Sequence, residues 1–183
     1  MIYDYQSTEI EGLYIIEPRV FGDERGYFME SYSHRDLESL TGPVNFVQDN
    51  ESLSSYGVVR GLHFQKAPYT QAKLVRCVSG RVLDVAVDIR KGSPTFLKHV
   101  AVELSGDNHR MFFIPKGFAH GFSVLSETAV FQYKCDEYYH PEVDSGFQLL
   151  DSRLGIDWKV PADRMIMSEK DRLRALWTED DCL

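Results

Sequence analysis

The stretch Arg81-Val-Leu-Asp-Val-Ala-Val-Asp-Ile-Arg90 constrains the fold more than any other. Leu83, Val85, Val87 and Ile89 fall on one face, and Asp84, Ala86 and Asp88 on the other. A period of two keeps those sets apart only in a β-strand. Residues 73–78 read as a second strand, with Ser79-Gly80 as the hairpin turn between the two. Further β-rich runs cover 98–104, 110–114, 121–125 and 129–133, separated by turn residues at Gly106-Asp107-Asn108 and Ser126-Glu127. This spacing predicts a mostly β fold: a sandwich, jelly roll or barrel. Helical signals lie toward the ends, with one short turn at 36–40 and a terminal helix over 168–177. Ser168 is its N-cap and Asp171 its third residue. The Asp84 and Asp88 face can point outward to water or into a polar lumen, and alternation by itself favours the outward orientation.

A length of 183 residues fits one domain, without internal repeat, low-complexity segment or linker. Hydrophobic residues at 43% exclude a disordered chain, and ten Tyr with eleven Phe favour strands over a helix bundle. The net charge of −8 argues against nucleic-acid or anionic-membrane partners, yet leaves room for a small anion wherever basic residues converge. The longest hydrophobic runs have four residues, as at 13–16 and 111–114, whereas a membrane helix needs about 20. Asp4, Glu9 and Glu11 near the start are unlike an ordinary secretory signal. Cys77, Cys135 and Cys182 are odd in number and lack metal-ligand spacing, so reduced thiols in a cytoplasmic protein are expected.

Four segments carry candidate chemistry. In Arg60-Gly-Leu-His-Phe-Gln65, His63 is a general base or a hydrogen-bonded core histidine. Strict alternation sends Arg60 and His63 to opposite faces, but a bulge at Gly61 would bring them together. Ile114-Pro-Lys-Gly-Phe-Ala-His-Gly-Phe122 resembles the second motif of the cupin superfamily. Metal-binding cupins also carry His-x-His, and the matching place here is His63-Phe-Gln65, with no suitably spaced Glu after it. A metal is therefore not expected. Phe131-Gln-Tyr-Lys-Cys-Asp-Glu-Tyr-Tyr139 supplies Tyr133 and Tyr139, either as rim packing or as a proton donor and a base-stacking platform. Phe21-Gly-Asp-Glu-Arg-Gly26 is a charged loop whose Arg25 pairs locally or reaches a phosphate.

Taken in order, Arg60-Gly-Leu-His-Phe-Gln65, Lys73-Leu-Val-Arg-Cys77, Asp84-Val-Ala-Val-Asp-Ile-Arg90, Ser93-Pro-Thr-Phe96, the 114–122 segment and Tyr133-Lys-Cys135 resemble the dTDP-4-dehydrorhamnose 3,5-epimerases over about 12–173. The resemblance implies a cupin-type jelly-roll β-barrel with short helices at the chain ends. It implies one epimerase domain over 1–183, with the core at about 12–160. It further implies a homodimer with strands exchanged between subunits. The implied reaction inverts C3 and C5 of dTDP-4-dehydro-6-deoxy-D-glucose without a cofactor, and the alternative is inversion at C3 only.

By the same resemblance, His63 is the base, Asp171 its orienting carboxylate, Tyr133 the acid and Lys73 the group that stabilises an enolate. Arg25, Glu30, Gln48, Asn50, Arg60, Lys73, His120, Tyr139, Asp144 and Lys170 match binding positions. Arg25 and Glu30 are expected to serve the neighbouring subunit. The chain departs from the family at Asp144, where Glu is commoner, and at Gly146-Phe-Gln-Leu-Leu-Asp151, which lacks a usual Trp and Asn. Those departures put one flank of the binding pocket in question. A metal-dependent oxygenase and a non-catalytic sugar-nucleotide binding module are the readings from other classes. The first lacks His-x-His, and the second does not account for His63, Lys73, Tyr133 and Asp171 together.

Overall fold

A computed structural model describes residues 3–179 and 183. Two antiparallel sheets face each other. The six-stranded sheet runs β1 (Tyr3–Ser7), β2 (Tyr14–Pro18), β10 (Met111–Ile114), β7 (Lys73–Ser79), β12 (Thr128–Cys135), β5 (Gln48–Ser55). The five-stranded sheet runs β13 (Asp144–Gly146), β6 (Val59–Gln65), β11 (Phe118–Val124), β8 (Arg81–Asp88), β9 (His99–Ser105). A separate hairpin, β3 (Val20–Asp23) and β4 (Gly26–Met29), stands outside both. This is the mostly β arrangement that the strand spacing predicts and the jelly roll that the family resemblance implies, but Ser79-Gly80 does not close a hairpin: β7 and β8 join different sheets, and the turn carries the chain from one to the other. The unforeseen strands include β5, whose sequence Gln-Asp-Asn-Glu-Ser-Leu-Ser-Ser carries no apolar alternation because it is an edge strand.

Three apolar layers hold the molecule together. Phe112, Phe131, Phe122, Val75 and Val102 fill the space between the sheets. The outer face of the six-stranded sheet packs Leu74, Met111 and Phe113 against Leu37 of α1 (His34–Thr41), a helix longer than the predicted turn and ended by Gly42 at φ 76. The outer face of the other sheet buries Val59, Leu62, Phe64, Leu83, Val85 and Val87 beneath Phe147, Leu149, Leu154 and Trp158. Each such side chain is worth roughly 1.5–3 kcal/mol when fully buried.

That third layer decides which way β8 faces. Its aliphatic side is covered by the chain's own C-terminal segment, so Asp84 and Asp88 turn into the molecule and are fully buried. The outward orientation that alternation favours is therefore wrong. Asp88 is satisfied by Arg90, Ser93 and Thr95, and Asp84 enters the site described below.

The terminal helix is also shorter than predicted: α2 spans Glu169–Arg172 only. Beyond it the backbone is tied down elsewhere, since Gln148 N–H donates to the Ala175 carbonyl and Trp177 packs edge-on against Phe96. A helix continued to 177 would break both contacts. Cys77 and Cys135 are buried free thiols, and Cys182 lies outside the described residues.

Candidate active site

The site is built at one end of the space between the sheets, on strands that send polar side chains inward from both. β6 supplies His63 and Arg60. Val59, Leu62 and Phe64 all join the outer apolar layer, so the strand changes phase between 59 and 62. Its pairing with β11 jumps correspondingly, from His63↔His120 to Arg60↔Phe122. The extra residue is Gly61 at φ 136, where a Cβ would lie 2.7 Å from the Gly121 Cα. Glycine on both strands permits the bulge, and the bulge puts Arg60 and His63 on one face.

His63 Nε2 lies 2.5 Å from Asp171 Oδ1. The carboxylate is presented by α2, where the Ser168 hydroxyl accepts from the Asp171 N–H at 3.0 Å. Burial raises the Asp171 carboxyl. The hydrogen bond and charge of His63, joined by Ser168 and Arg174, outweigh it and hold the group below the usual carboxylate value. The second imidazole, His120 on β11, donates to or accepts from Asp84 Oδ2 at 2.9 Å. Burial pushes this ring below the usual imidazole value despite the carboxylate.

Lys73 and Tyr133 enter from the opposite sheet. The Lys73 ammonium stands 5.8 Å from the centre of the Tyr133 ring. Burial lowers Lys73 from the ordinary lysine value, and Cys135, Asp84 and Asp144 pull it back up. Burial raises the Tyr133 phenol, which keeps its proton.

His63, Tyr139 and Asp144 line two adjoining clefts of ≈ 420 and ≈ 460 Å³. Gln48, Asn50, Gln65, Gln71, Lys73 and Tyr133 are among the residues that line the first, and Arg60, Lys170, Asp171 and Arg174 among those that line the second. Clefts of this size suit a small-molecule ligand. Arg60 is exposed, and its guanidinium is held by the Ser54 hydroxyl at 3.2 and 3.3 Å. Lys170 pairs with Asp144. Arg25 and Glu30 are not brought to these clefts. Arg25 sits in the β3–β4 turn with its side chain 85% exposed, paired to Asp23, and Glu30 is exposed just beyond the hairpin.

Of the 144–151 segment, Asp144 is the residue that lines the two clefts. Phe147 and Leu149 are buried in the outer apolar layer, and the Gln148 amide donates to the Arg172 carbonyl. This segment anchors the strap that carries Asp171. Sequence reasoning missed Arg174, a largely covered guanidinium 3.2 Å from Asp144 and 3.5 Å from Asp171. Gly146 leaves it room, since a Cβ there would meet its Cζ at 2.9 Å.

The position that a metal-binding cupin would give to its second histidine does not fit a metal. Gln65 spends its amide on backbone groups of Tyr69, Tyr138 and His140. Among the described residues no three His, Cys, Asp or Glu side chains converge, and no helix is long and apolar enough to cross a membrane.

A jelly roll whose lumen holds a histidine–carboxylate pair, a lysine and a tyrosine around one cleft defines a cupin-type acid–base enzyme. The sequence profile of the family described as dTDP-4-dehydrorhamnose 3,5-epimerase matches residues 7–179, and the chain belongs to that family of sugar-nucleotide epimerases. It is 55% identical to the dTDP-4-dehydrorhamnose 3,5-epimerase of Escherichia coli K12 over 96% of this chain and 94% of that one. It resembles the crystal structure of the Elizabethkingia anophelis NUHP1 enzyme at a TM-score of 0.94 and 53% identity, covering 99% of this chain and 100% of that one. It resembles the Legionella pneumophila Philadelphia 1 epimerase, crystallised with dTDP-4-keto-L-rhamnose, at 0.92 and 52%, covering 95% and 92%.

Proposed function

We propose that this chain inverts C3 and C5 of dTDP-4-dehydro-6-deoxy-D-glucose to give dTDP-4-dehydro-L-rhamnose. The observation that carries the reading is the convergence of the His63–Asp171 pair, Lys73 and Tyr133 on one cleft.

A C–H beside a ketone can be removed because its electron pair delocalises onto the carbonyl oxygen. His63 takes the proton, and Asp171 holds the ring and balances the imidazolium. The electron pair moves into the C3–C4 or C4–C5 bond while the C4 oxygen becomes an enolate, which the Lys73 ammonium stabilises. Tyr133 returns a proton to the opposite face of the same carbon, so that its configuration inverts. The phenoxide and imidazolium then exchange protons with water before the second carbon reacts.

Arg60 suits the diphosphate. Tyr139, half exposed over both clefts, serves as the face on which thymine stacks. Gln48, Asn50, His120, Asp144 and Lys170 bind the remainder. Arg25 and Glu30 act in a neighbouring subunit of a homodimer. What supports this is that their hairpin carries the exposed rings Phe21, Tyr27 and Phe28 away from this chain's own clefts. The chain works as one domain, because the segment from β13 to α2 brings Asp171 back to β6. The buried free thiols support a reducing, cytoplasmic setting.

Incubation with dTDP-4-dehydro-6-deoxy-D-glucose in D₂O tests the reading. Deuterium should enter both C3 and C5 as dTDP-4-dehydro-L-rhamnose accumulates. Label confined to C3 would make the chain a C3-only epimerase.

A further inference from the structure

Tyr139 lies on an irregular segment between β12 and β13, and three glutamine side chains from other parts of the chain grip the backbone around it. Gln65 on β6 is buried, donates to the carbonyls of Tyr69 at 2.7 Å and Tyr138 at 3.0 Å, and accepts from the His140 N–H at 2.6 Å. Gln48 on β5 accepts from the Tyr139 N–H at 3.0 Å. Gln71 donates to the Glu137 carbonyl at 2.8 Å. The peptide groups on both sides of Tyr139 are thus fixed from two sheets, while its ring remains about half exposed over the clefts.

A loop needs no such clamp for its own burial. Peptide groups this close to solvent can bond to water, so side-chain amides add position more than stability. An aromatic platform gains its full stacking energy only if it is already in place when the ligand arrives, because ordering a loop during binding subtracts from affinity.

We propose that Gln65, assisted by Gln71, is a positioning residue that pre-places Tyr139 for the nucleobase, and so sets affinity for the thymidine end of the ligand. The proposal rests on the reading of Tyr139 as the stacking face. Gln65 and Gln71 stand in the wall of the first cleft, but the Gln65 amide is spent on backbone groups, donating to the Tyr69 and Tyr138 carbonyls and accepting from the His140 N–H.

Gln65→Glu separates these roles. It keeps size and shape, and can still accept from the His140 N–H, but it sets a carboxylate against the Tyr69 and Tyr138 carbonyls. Base stacking on an aromatic side chain is worth ~1–3 kcal/mol, so dTDP binding by calorimetry should weaken about tenfold. KM should rise with it, while kcat and the affinity for inorganic pyrophosphate stay within about threefold. In a Tyr139→Ala background, Gln65→Glu should add nothing further. Gln71→Glu, at a more exposed position, should show the same pattern more weakly, and decides the matter if Gln65→Glu does not fold.

Equal losses of dTDP and pyrophosphate binding would overturn the proposal, as would a fall in kcat with KM unchanged. If Tyr139→Ala weakens dTDP binding and neither glutamine variant does, the clamp is wrong and the stacking face stands. If Tyr139→Ala is silent, both fall.

Discussion

His63 and Asp171 are 108 residues apart in sequence and 2.5 Å apart in space, Nε2 to Oδ1. The pair joins the middle of a sheet to a four-residue helix on the C-terminal strap.

His63→Ala should abolish both epimerisation and solvent deuterium exchange, a loss of about 10²–10⁴-fold, while calorimetry still detects dTDP binding. Asp171→Asn keeps the size of the side chain but removes the carboxylate that holds the His63 ring, and its kcat should fall about 10–100-fold. The depressed Asp171 carboxyl also links stability to acidity. Its contribution is complete above the unfolded carboxylate value of about 3.9. It is lost as pH falls from there through the lower folded value. Thermal melts between pH 5 and 2 should therefore show a shallower decline for Asp171→Asn than for the wild type. Parallel declines would remove the linkage.

Lys73 makes the alkaline side of the rate profile informative. It must be protonated to stabilise an enolate, and burial lets it lose its proton below the ordinary lysine value. Tyr133 is displaced the other way, and kcat should fall on the alkaline side as Lys73 loses its proton. Lys73→Met should cost about 10²–10³-fold in kcat and delete that limb. A limb unchanged in Lys73→Met would assign it to another group.

Tyr133→Phe should separate proton removal from inversion. The base remains, so deuterium exchange at the sugar carbons should persist, while the doubly inverted product drops by about 10²-fold or more. NMR of the products reads both at once. Wild-type yields of the inverted sugar would take Tyr133 out of the mechanism.

Asp144→Glu should be tolerated. Asp144 already shares its carboxylate between Lys170 and Arg174, and a longer acid keeps both partners within reach. Steady-state kinetics should give kcat unchanged and KM within about threefold. A large rise in KM alone would mean that the pocket has closed around the shorter residue.

Local pattern was enough for what depends on neighbours in sequence. The alternation of β8 and the Ser168 cap at Asp171 each follow from the side chains of a few adjacent residues. So does the bulge at Gly61, since glycine next to an inward histidine allows the strand to change phase. The Ser79-Gly80 turn signal, by contrast, does not tell a hairpin from a crossing between two sheets. The residue types for acid–base chemistry were visible, and family resemblance placed His63, Lys73, Tyr133 and Asp171 together.

Tertiary structure decided what depends on which surface is covered. Alternation separates the two faces of β8 but cannot say which is outside. The packing of Phe147, Leu149, Leu154 and Trp158 over Leu83, Val85 and Val87 turned Asp84 inward to meet His120. Likewise nothing near Gln65, Gln71 or Arg174 in sequence announces their distant partners Tyr138, Glu137 and Asp144. Those partners are backbone and carboxylate groups that come within reach only once β6, the 136–143 segment and the C-terminal strap have packed together. Hydrogen bonds act over about 3 Å, and sequence distance carries no information at that range.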